Sequence, residues 1–340
     1  MVKIIKLAAA YRFPFGHNLE GALIFSSSCW MAALSIVFLS SLLAMAQPGS
    51  ATGTAAQMAP IRFGFSRQIF GAVNENDGRA ALKAHVQAIG RADGIPMDAN
   101  FPVFDNAKQM EQALRAGAVD MIALRTDEFL ELTPEMVGGP LIVAVVRGRT
   151  DDEYVLLVRH DGGLGGIAAL KGRQIMVLQN PRAPLALHWL DVMTLREGLG
   201  PAAQVVGRMT QVPKSSRAVL PVFFKQADAA LVSRSGFEMM GELNPQIKSQ
   251  IKVLAFSRPM VPVVMCFRSG VPQTSIDRVV TATLKMHTTV SGQQVMTIFQ
   301  FDRLDALPRS CLDSARELLA EHARLLSLHQ KRVPAPTMAY

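Results

Sequence analysis

Five short polar clusters stand where apolar, strand-like runs give way to helical patterns. Ser66-Arg67-Gln68 follows Ile61–Phe65, and Arg125-Thr126 follows Met121–Leu124. Asn180-Pro181-Arg182 follows Gln174–Leu178, Lys214-Ser215-Ser216 lies beyond Ala203–Val206, and Ser233-Arg234 follows Ala229–Val232. These clusters offer cations and hydroxyl or amide groups, and most stand just ahead of a helix start with its unpaired backbone N–H groups. That combination suits the capture of a small anion, because helix N-termini favour negative charge and Arg can add paired hydrogen bonds. Open α/β sheets bind ligands at this carboxyl end of their strands. The candidate ligand-binding set is therefore Ser66, Arg67, Gln68, Arg125, Thr126, Asn180, Arg182, Ser215, Ser216, Ser233 and Arg234. Each of these residues also has a plainer use in helix capping or surface solvation. No catalytic residue, metal ligand or cofactor is assigned: the chain has neither a Cys-x-x-Cys nor a His-x-x-x-His.

The elements that must position these clusters are clearest between Val103 and Leu132. This stretch reads as strand, helix, tight turn, strand, helix. Asp105 or Asn106 is placed to cap the first helix, Met110, Ala113 and Leu114 share one helical face, and Gly117 ends it. The grammar returns in Ser216–Phe237: a helix, Ala227-Asp228, the short strand Ala229–Val232, then Ser233-Arg234-Ser235. Matching Asp120 with Asp228 brings Phe129 onto Phe237 and leaves Arg125 and Arg234 one position out of step. Two similar lobes are the reading; common α/β grammar is the alternative.

With 340 residues, 49% of them hydrophobic, the chain can build one large or two medium cores. Ala22–Ala46 is an uncharged apolar or small-residue run ending in Ala44-Met45-Ala46, an A-x-A pattern. Residues 1–46 are read as an export signal cleaved after Ala46, with an uncleaved anchor as the rival; both place the body outside the cytoplasm, in the periplasm. They hold three Lys/Arg and one acid, so their removal lowers the net charge from +8 to +6. The remaining cations are scattered, without the dense basic, aromatic-rich patch of a nucleic-acid groove. Residues 47–60 read as a Gly/Ala/Thr/Ser-rich linker and those after 328 as a frayed tail. Cys266 and Cys311 are available to pair in an oxidising compartment, although two separate buried thiols are the preferred reading.

Along the body, Asn76 or Asp77 is expected to cap a helix through Ile89, with Ala81, Leu82, His85 and Ile89 on one stripe. Pro140–Val146 and Tyr154–Arg159 read as a hairpin or two crossing strands. Gly163-x-Gly165-x-x-Ala168 imitates a dinucleotide loop, but the helix after it is barely one turn and no acid ends the next strand, so a surface turn is expected. A helix is expected over Leu185–Glu197, a strand over Ala203–Val206, and a second-lobe helix capped by Ser215 or Ser216. Strands are expected at Ile251–Phe256 and Val261–Phe267, followed by helices at 276–288, 292–298 and 312–328.

Several of these segments, in this order, resemble phosphate/phosphite/phosphonate-type substrate-binding proteins of ABC transporters. They are Ile61-Arg-Phe-Gly-Phe-Ser66, Asn76-Asp-Gly-Arg-Ala-Ala-Leu82, Ala113-Leu-Arg-Ala-Gly-Ala-Val-Asp120, Tyr154-Val-Leu-Leu-Val-Arg159, Ile167-Ala-Ala-Leu-Lys-Gly172 and Ala227-Asp-Ala-Ala-Leu231. The resemblance spans roughly residues 61–328. It implies an α/β type II periplasmic-binding fold, two lobes on a two-strand hinge that closes on ligand. Lobe 1 would comprise 61–152 and 259–328, and lobe 2 would comprise 153–258, with the polar strand ends facing the cleft. Two departures bear on the ligand. Asn180-Pro181-Arg182-Ala183-Pro184 stands where the family carries a Ser/Thr-rich run with Gly, and each Pro removes an N–H donor. Lys214-Ser215-Ser216 stands where a His/Asp-type pair is usual. The expected function is capture of a small anion, phosphonate-like or otherwise, by a monomer that presents it to an ABC permease. Feeding a membrane sensor such as a histidine kinase is the alternative, and an enzyme on the same fold is a second one.

Overall fold

Short β-branched and apolar runs in this chain alternate with amphipathic helical stretches, and the strands they form fall into two separate sheets. The computed structural model describes residues 59–332 apart from Ala72 and Asp93. The apolar run, its A-x-A pattern, residues 47–58 and the tail from 333 lie outside the described residues. The first lobe opens with β1 (Ile61–Ser66), α1 (Glu75–Ala92), β2 (Met97–Asp98), β3 (Val103–Phe104), α2 (Ala107–Arg115), β4 (Met121–Arg125), α3 (Thr126–Glu131) and β5 (Val137–Val145). The second contains β6 (Tyr154–Arg159), β7 (Gln174–Leu178), α4 (Ala186–Arg196), α5 (Ala202–Val205), β8 (Arg208–Val212), α6 (Ser215–Phe223), β9 (Ala229–Ser233), α7 (Arg234–Leu243), α8 (Pro245–Gln250) and β10 (Ile251–Phe256). The chain then returns through β11 (Val263–Arg268), α9 (Gln273–Leu284), α10 (Val290–Phe299), β12 (Arg303–Leu307) and α11 (Asp313–Arg332).

One sheet has the order β12-β5-β11-β4-β1-β2, with β3 also pairing β1; the other has the order β10-β6-β9-β7-β8. In the first, β1 runs parallel to β2, β3 and β4, while β11 is antiparallel to β4 and β5. In the second, β7 runs parallel to β8 and β9, and β6 is antiparallel to β9 and β10. The chain passes between sheets twice, through 146–153 and 257–262. Asp152 and Met260 bind each other there through both backbone N–H···O bonds, at 3.0 and 2.8 Å. The two β-rich runs at 140–146 and 154–159 are thus not a hairpin; they belong to different sheets.

The repeat seen in the sequence has a geometric counterpart at the helix-to-strand corner. Asp120 N–H donates to the Arg62 carbonyl (2.8 Å) and its carboxylate accepts from Arg62 N–H (3.1 Å). Asp228 does the same with Gln174, at 3.0 and 2.8 Å. These carboxylates fix the amino end of β4 against β1 and of β9 against β7. Phe129 and Phe237, nine residues after each Asp, are both buried, each in the core of its own lobe. Burial alone would push the Asp120 carboxyl up, but bonds from Arg62 and Arg268 outweigh it and hold it below its usual value.

Several local expectations need correction. Residues 203–205 form part of the helical turn α5, and the strand is β8, set later where Met209 and Val212 pack into the core. Asn74, not Asn76 or Asp77, caps α1, accepting from both of their N–H groups. Asn106 does cap α2, through Gln109 N–H at 3.0 Å. Lys214 is the residue before α6, and neither serine caps it through its side chain. The largest departure is α11. Residues 313–328 were expected in lobe 1 and 329–332 in a frayed tail, yet the helix runs on to Arg332, Ala315 and Leu318 are buried in the second lobe's core, and Arg196–Glu321 and His322–Asp191 pairs (2.7 and 3.1 Å) dock it on α4. Its apolar stripe finds a partner in α4, while Leu312 just before it is buried in the first lobe. Cys266 and Cys311 are both free thiols, and burial pushes that of Cys266 up to about 12.

Candidate functional site

The polar clusters lie at the carboxyl ends of β1, β4, β7, β8 and β9, and the two lobes meet across these ends. The Arg182 guanidinium donates to the Gln300 carbonyl at the left-handed residue closing α10 (φ 57°). A Cβ added at Gly71 would lie only 3.4 Å from Pro181 Cδ. Burial lowers the pKa of Arg182, and Asp152 and Asp302 oppose this. Arg182 therefore spans the two lobes.

In the first lobe, Ser66 is fully buried at the end of β1. Its hydroxyl accepts from Gln68 N–H (3.1 Å) and donates to Glu128 Oε1 (2.8 Å). The other oxygen of Glu128 accepts Arg125 N–H at 3.0 Å, closing a carboxylate over the first turn of α3. Glu128 thus bridges the ends of two adjacent parallel strands at 5% exposure. Burial raises its pKa against the opposing pull of the Ser66 and Arg125 N–H bonds. Arg125 itself pairs with Asp127, Nε to Oδ1 at 3.0 Å. Thr126 is consumed by the second crossing: its N–H donates to the Pro262 carbonyl (3.0 Å) and its hydroxyl to that of Val261 (2.5 Å). Arg67 turns to Asp105 (2.6 Å) and Glu75 (2.5 Å) on the surface. Gln68 is exposed.

In the second lobe, Asn180 is half-buried; its side chain accepts from Arg182 N–H (2.9 Å) and reaches the Pro213 carbonyl (3.4 Å), linking the ends of β7 and β8. Ser233 caps α7 through Gly236 N–H (3.2 Å). Its neighbour Arg234 donates its N–H to the Glu153 carbonyl (2.7 Å), pairs with the Glu153 carboxylate, and lies 5.6 Å above the Phe256 ring. Asp152 takes the next donor, Ser235 N–H, at 3.2 Å, and also the Ser235 hydroxyl. The start of α6 differs. It follows exposed Lys214, it carries Ser215, Ser216 and Arg217, and its first turn holds no acid. A Cβ at Gly236 would fall 2.4 Å from Ser215 Oγ and 3.1 Å from Ser233 Oγ, so the two hydroxyls crowd the same glycine.

The structure thus groups Ser66, Gln68, Arg125 and Thr126 in one lobe and Asn180, Ser215, Ser216, Ser233 and Arg234 in the other, with Arg182 between. It holds Arg67 away in surface ion pairs. Sequence reasoning missed Glu128, Asp152 and Glu153. Glu128 stands three residues after Arg125, the spacing of a capping box, which is the signal that points to it. Asp152 and Glu153 are two acids in the crossing segment, and their partners are fixed only by the tertiary fold.

Residues 72–310 match the family of periplasmic substrate-binding proteins of phosphonate ABC transporters. XAC2383 from Xanthomonas citri, solved with bound ATP, superposes with a TM-score of 0.57 at 17% identity, covering 79% of this chain and 99% of that one. A binding-protein component of an ABC phosphonate transporter from Pseudomonas aeruginosa gives 0.56 at 14%, covering 81% and 91%. PhnD1 from Prochlorococcus marinus, in complex with methylphosphonate, gives 0.53 at 11%, covering 78% and 98%. No curated protein matches the sequence. The two lobes and their double crossing are the type II periplasmic-binding fold, and the chain belongs to the phosphonate-type substrate-binding family of ABC transporters. The family acts in transport, not catalysis, and its place is extracytoplasmic; its role is solute capture for an ABC importer.

Proposed function

We propose that this protein captures a small anionic solute between its lobes, as a monomer, and that the anionic group rests at the start of α6. The observation that carries this is the contrast among the three helix starts at the strand ends. Those of α3 and α7 are covered by Glu128 and Asp152, whereas α6 opens with Lys214, Ser215, Ser216 and Arg217 and no acid in its first turn. Backbone N–H groups, two hydroxyls and two cations there form the donor set an oxyanion needs. Arg182 and Pro181 supply the contact between lobes that closure around the solute requires. The Ala22–Ala46 run with its A-x-A end supports export with cleavage after Ala46, or retention as an anchor, ahead of delivery to the permease.

Thermal shift against phosphate, methylphosphonate, alkyl sulfonates and small carboxylates tests the reading. Ligand at about a hundred times its Kd adds roughly 2.7 kcal/mol of stability. A shift abolished by Ser216→Ala supports the α6 site. No shift with any of these anions would remove the anionic ligand from the account.

A further inference from the structure

The two lobes repeat the same strand-end unit, and the repeat isolates one difference. With Asp120 matched to Asp228, Arg125 falls on Ser233, Asp127 on Ser235, Glu128 on Gly236 and Phe129 on Phe237. The backbones agree: the residues preceding α3 and α7 are Arg125 (φ −70°, ψ 156°) and Ser233 (φ −73°, ψ 147°). In lobe 2 the fourth position is a glycine whose N–H is taken by Ser233, leaving its Cα beside the Ser215 and Ser233 hydroxyls. In lobe 1 the same position carries Glu128, whose carboxylate lies between Ser66 Oγ and Arg125 N–H. Those two donors, at the ends of adjacent parallel strands, are the kind that an open α/β sheet offers to an anionic ligand. The chain has placed its own carboxylate on them.

We infer that Glu128 is a specificity-determining residue: it fills the lobe-1 anion position with an internal carboxylate, so that the cleft takes ligands with a single negative charge, held by lobe 2. The inference rests on the proposed capture of an anion at α6 and adds the charge that the cleft admits. Asp152 works in the same sense on the lobe-2 side, since it occupies Ser235 N–H and hydroxyl beside the α7 start. A second negative charge on the ligand would meet these carboxylates with lobe-1 donors already used. Arg125 does not offset this for the ligand, because it is engaged with Asp127. A sulfonate or carboxylate monoanion fits this cleft; a fully ionised phosphonate or phosphate does not.

The test compares methanesulfonate, a monoanion throughout, with methylphosphonate, which takes a second negative charge as pH rises through neutrality. Affinities are measured by calorimetry across that range for the wild type and for Glu128→Gln. A glutamine retains bonds to Ser66 and to Arg125 N–H without the charge, and circular dichroism checks its fold. In the wild type, methylphosphonate affinity is expected to fall at least tenfold relative to methanesulfonate as it becomes a dianion, and Glu128→Gln is expected to recover most of that ratio. The wild-type measurement stands even if the variant misfolds. Equal or tighter binding of the dianion by the wild type overturns the role of Glu128 while leaving anion capture intact, as does a ratio unchanged in a folded Glu128→Gln. Binding of neither anion by either protein overturns this inference, while anion capture itself stands or falls with the wider thermal-shift series.

Discussion

Acidification offers a sharp test of how the first lobe is held together, through His85. This residue sits on the buried face of α1 at 4% exposure, with Nδ1 3.0 Å from Ser291 Oγ on α10 and Nε2 without a hydrogen-bond partner among the described residues. Burial lowers its pKa from 6.5 to about 4. Its folded-state pKa lies below the unfolded one, so its contribution is complete above about pH 6.5 and is lost as pH falls toward 4. At about 1.36 kcal/mol per pKa unit, the loss approaches about 3 kcal/mol once both states are protonated, and is about 2.5 kcal/mol near pH 4.5. Glu128 acts in the opposite sense: its pKa is raised, so its contribution is present below 4.5 and lost as pH rises through the folded value. The effect of His85 is therefore isolated by comparison with His85→Gln, in which Glu128 is unchanged. Urea unfolding of both proteins at about pH 7.5 and about pH 4.5 gives the difference; the wild type should lose roughly 2 to 3 kcal/mol more than the variant. Parallel losses would refute the argument that a buried, neutral His85 joins α1 to α10. The joint matters for the cleft, because α10 ends at Gln300, the residue Arg182 grips from the other lobe.

Three further outcomes follow from the same contacts. Glu128→Ala leaves the Ser66 hydroxyl and Arg125 N–H without their acceptor, and urea unfolding should show a loss of about 1–3 kcal/mol, with Glu128→Gln losing much less. Tyr154→Phe removes the oxygen that accepts Leu185 N–H at 3.1 Å in the buried start of α4; a similar loss of about 1–3 kcal/mol is expected, and none would show that water reaches this N–H. Arg182→Ala cuts the hold on Gln300, so small-angle scattering of the ligand-free protein should show a larger radius of gyration than wild type; an unchanged radius would mean that other contacts keep the lobes together.

The alternation of short apolar strands and helices was legible because its causes are local. The Asp120 and Asp228 corners, the Asn106 cap and the burial of Phe129 and Phe237 all follow from side-chain type and spacing. The misplaced strand at 203–206 shows the limit of that logic: a short run with three apolar residues around Gln204 suits a helical turn as well as a strand, and packing decides. The partner of α11 was illegible for a related reason, since an amphipathic helix declares that one face is buried without declaring against what. In the site, sequence reasoning found the donors and overlooked the acceptors. Thr126 and Ser66 were recognisable as hydroxyls at strand ends, but their engagement by the Val261 carbonyl and by Glu128 depends on residues 135 and 62 positions away. Arg182 was recognisable as a cation in a loop, and its reach to Gln300 exists only once the lobes face each other.

The most direct measurement is a crystal structure of the protein with whichever anion gives the largest thermal shift. The anionic group is expected against the first turn of α6, within hydrogen-bond reach of Ser215 or Ser216, with Glu128 still bound to Ser66 and Arg125. An anion seated instead on Ser66 and the start of α3, with Glu128 displaced, would contradict it.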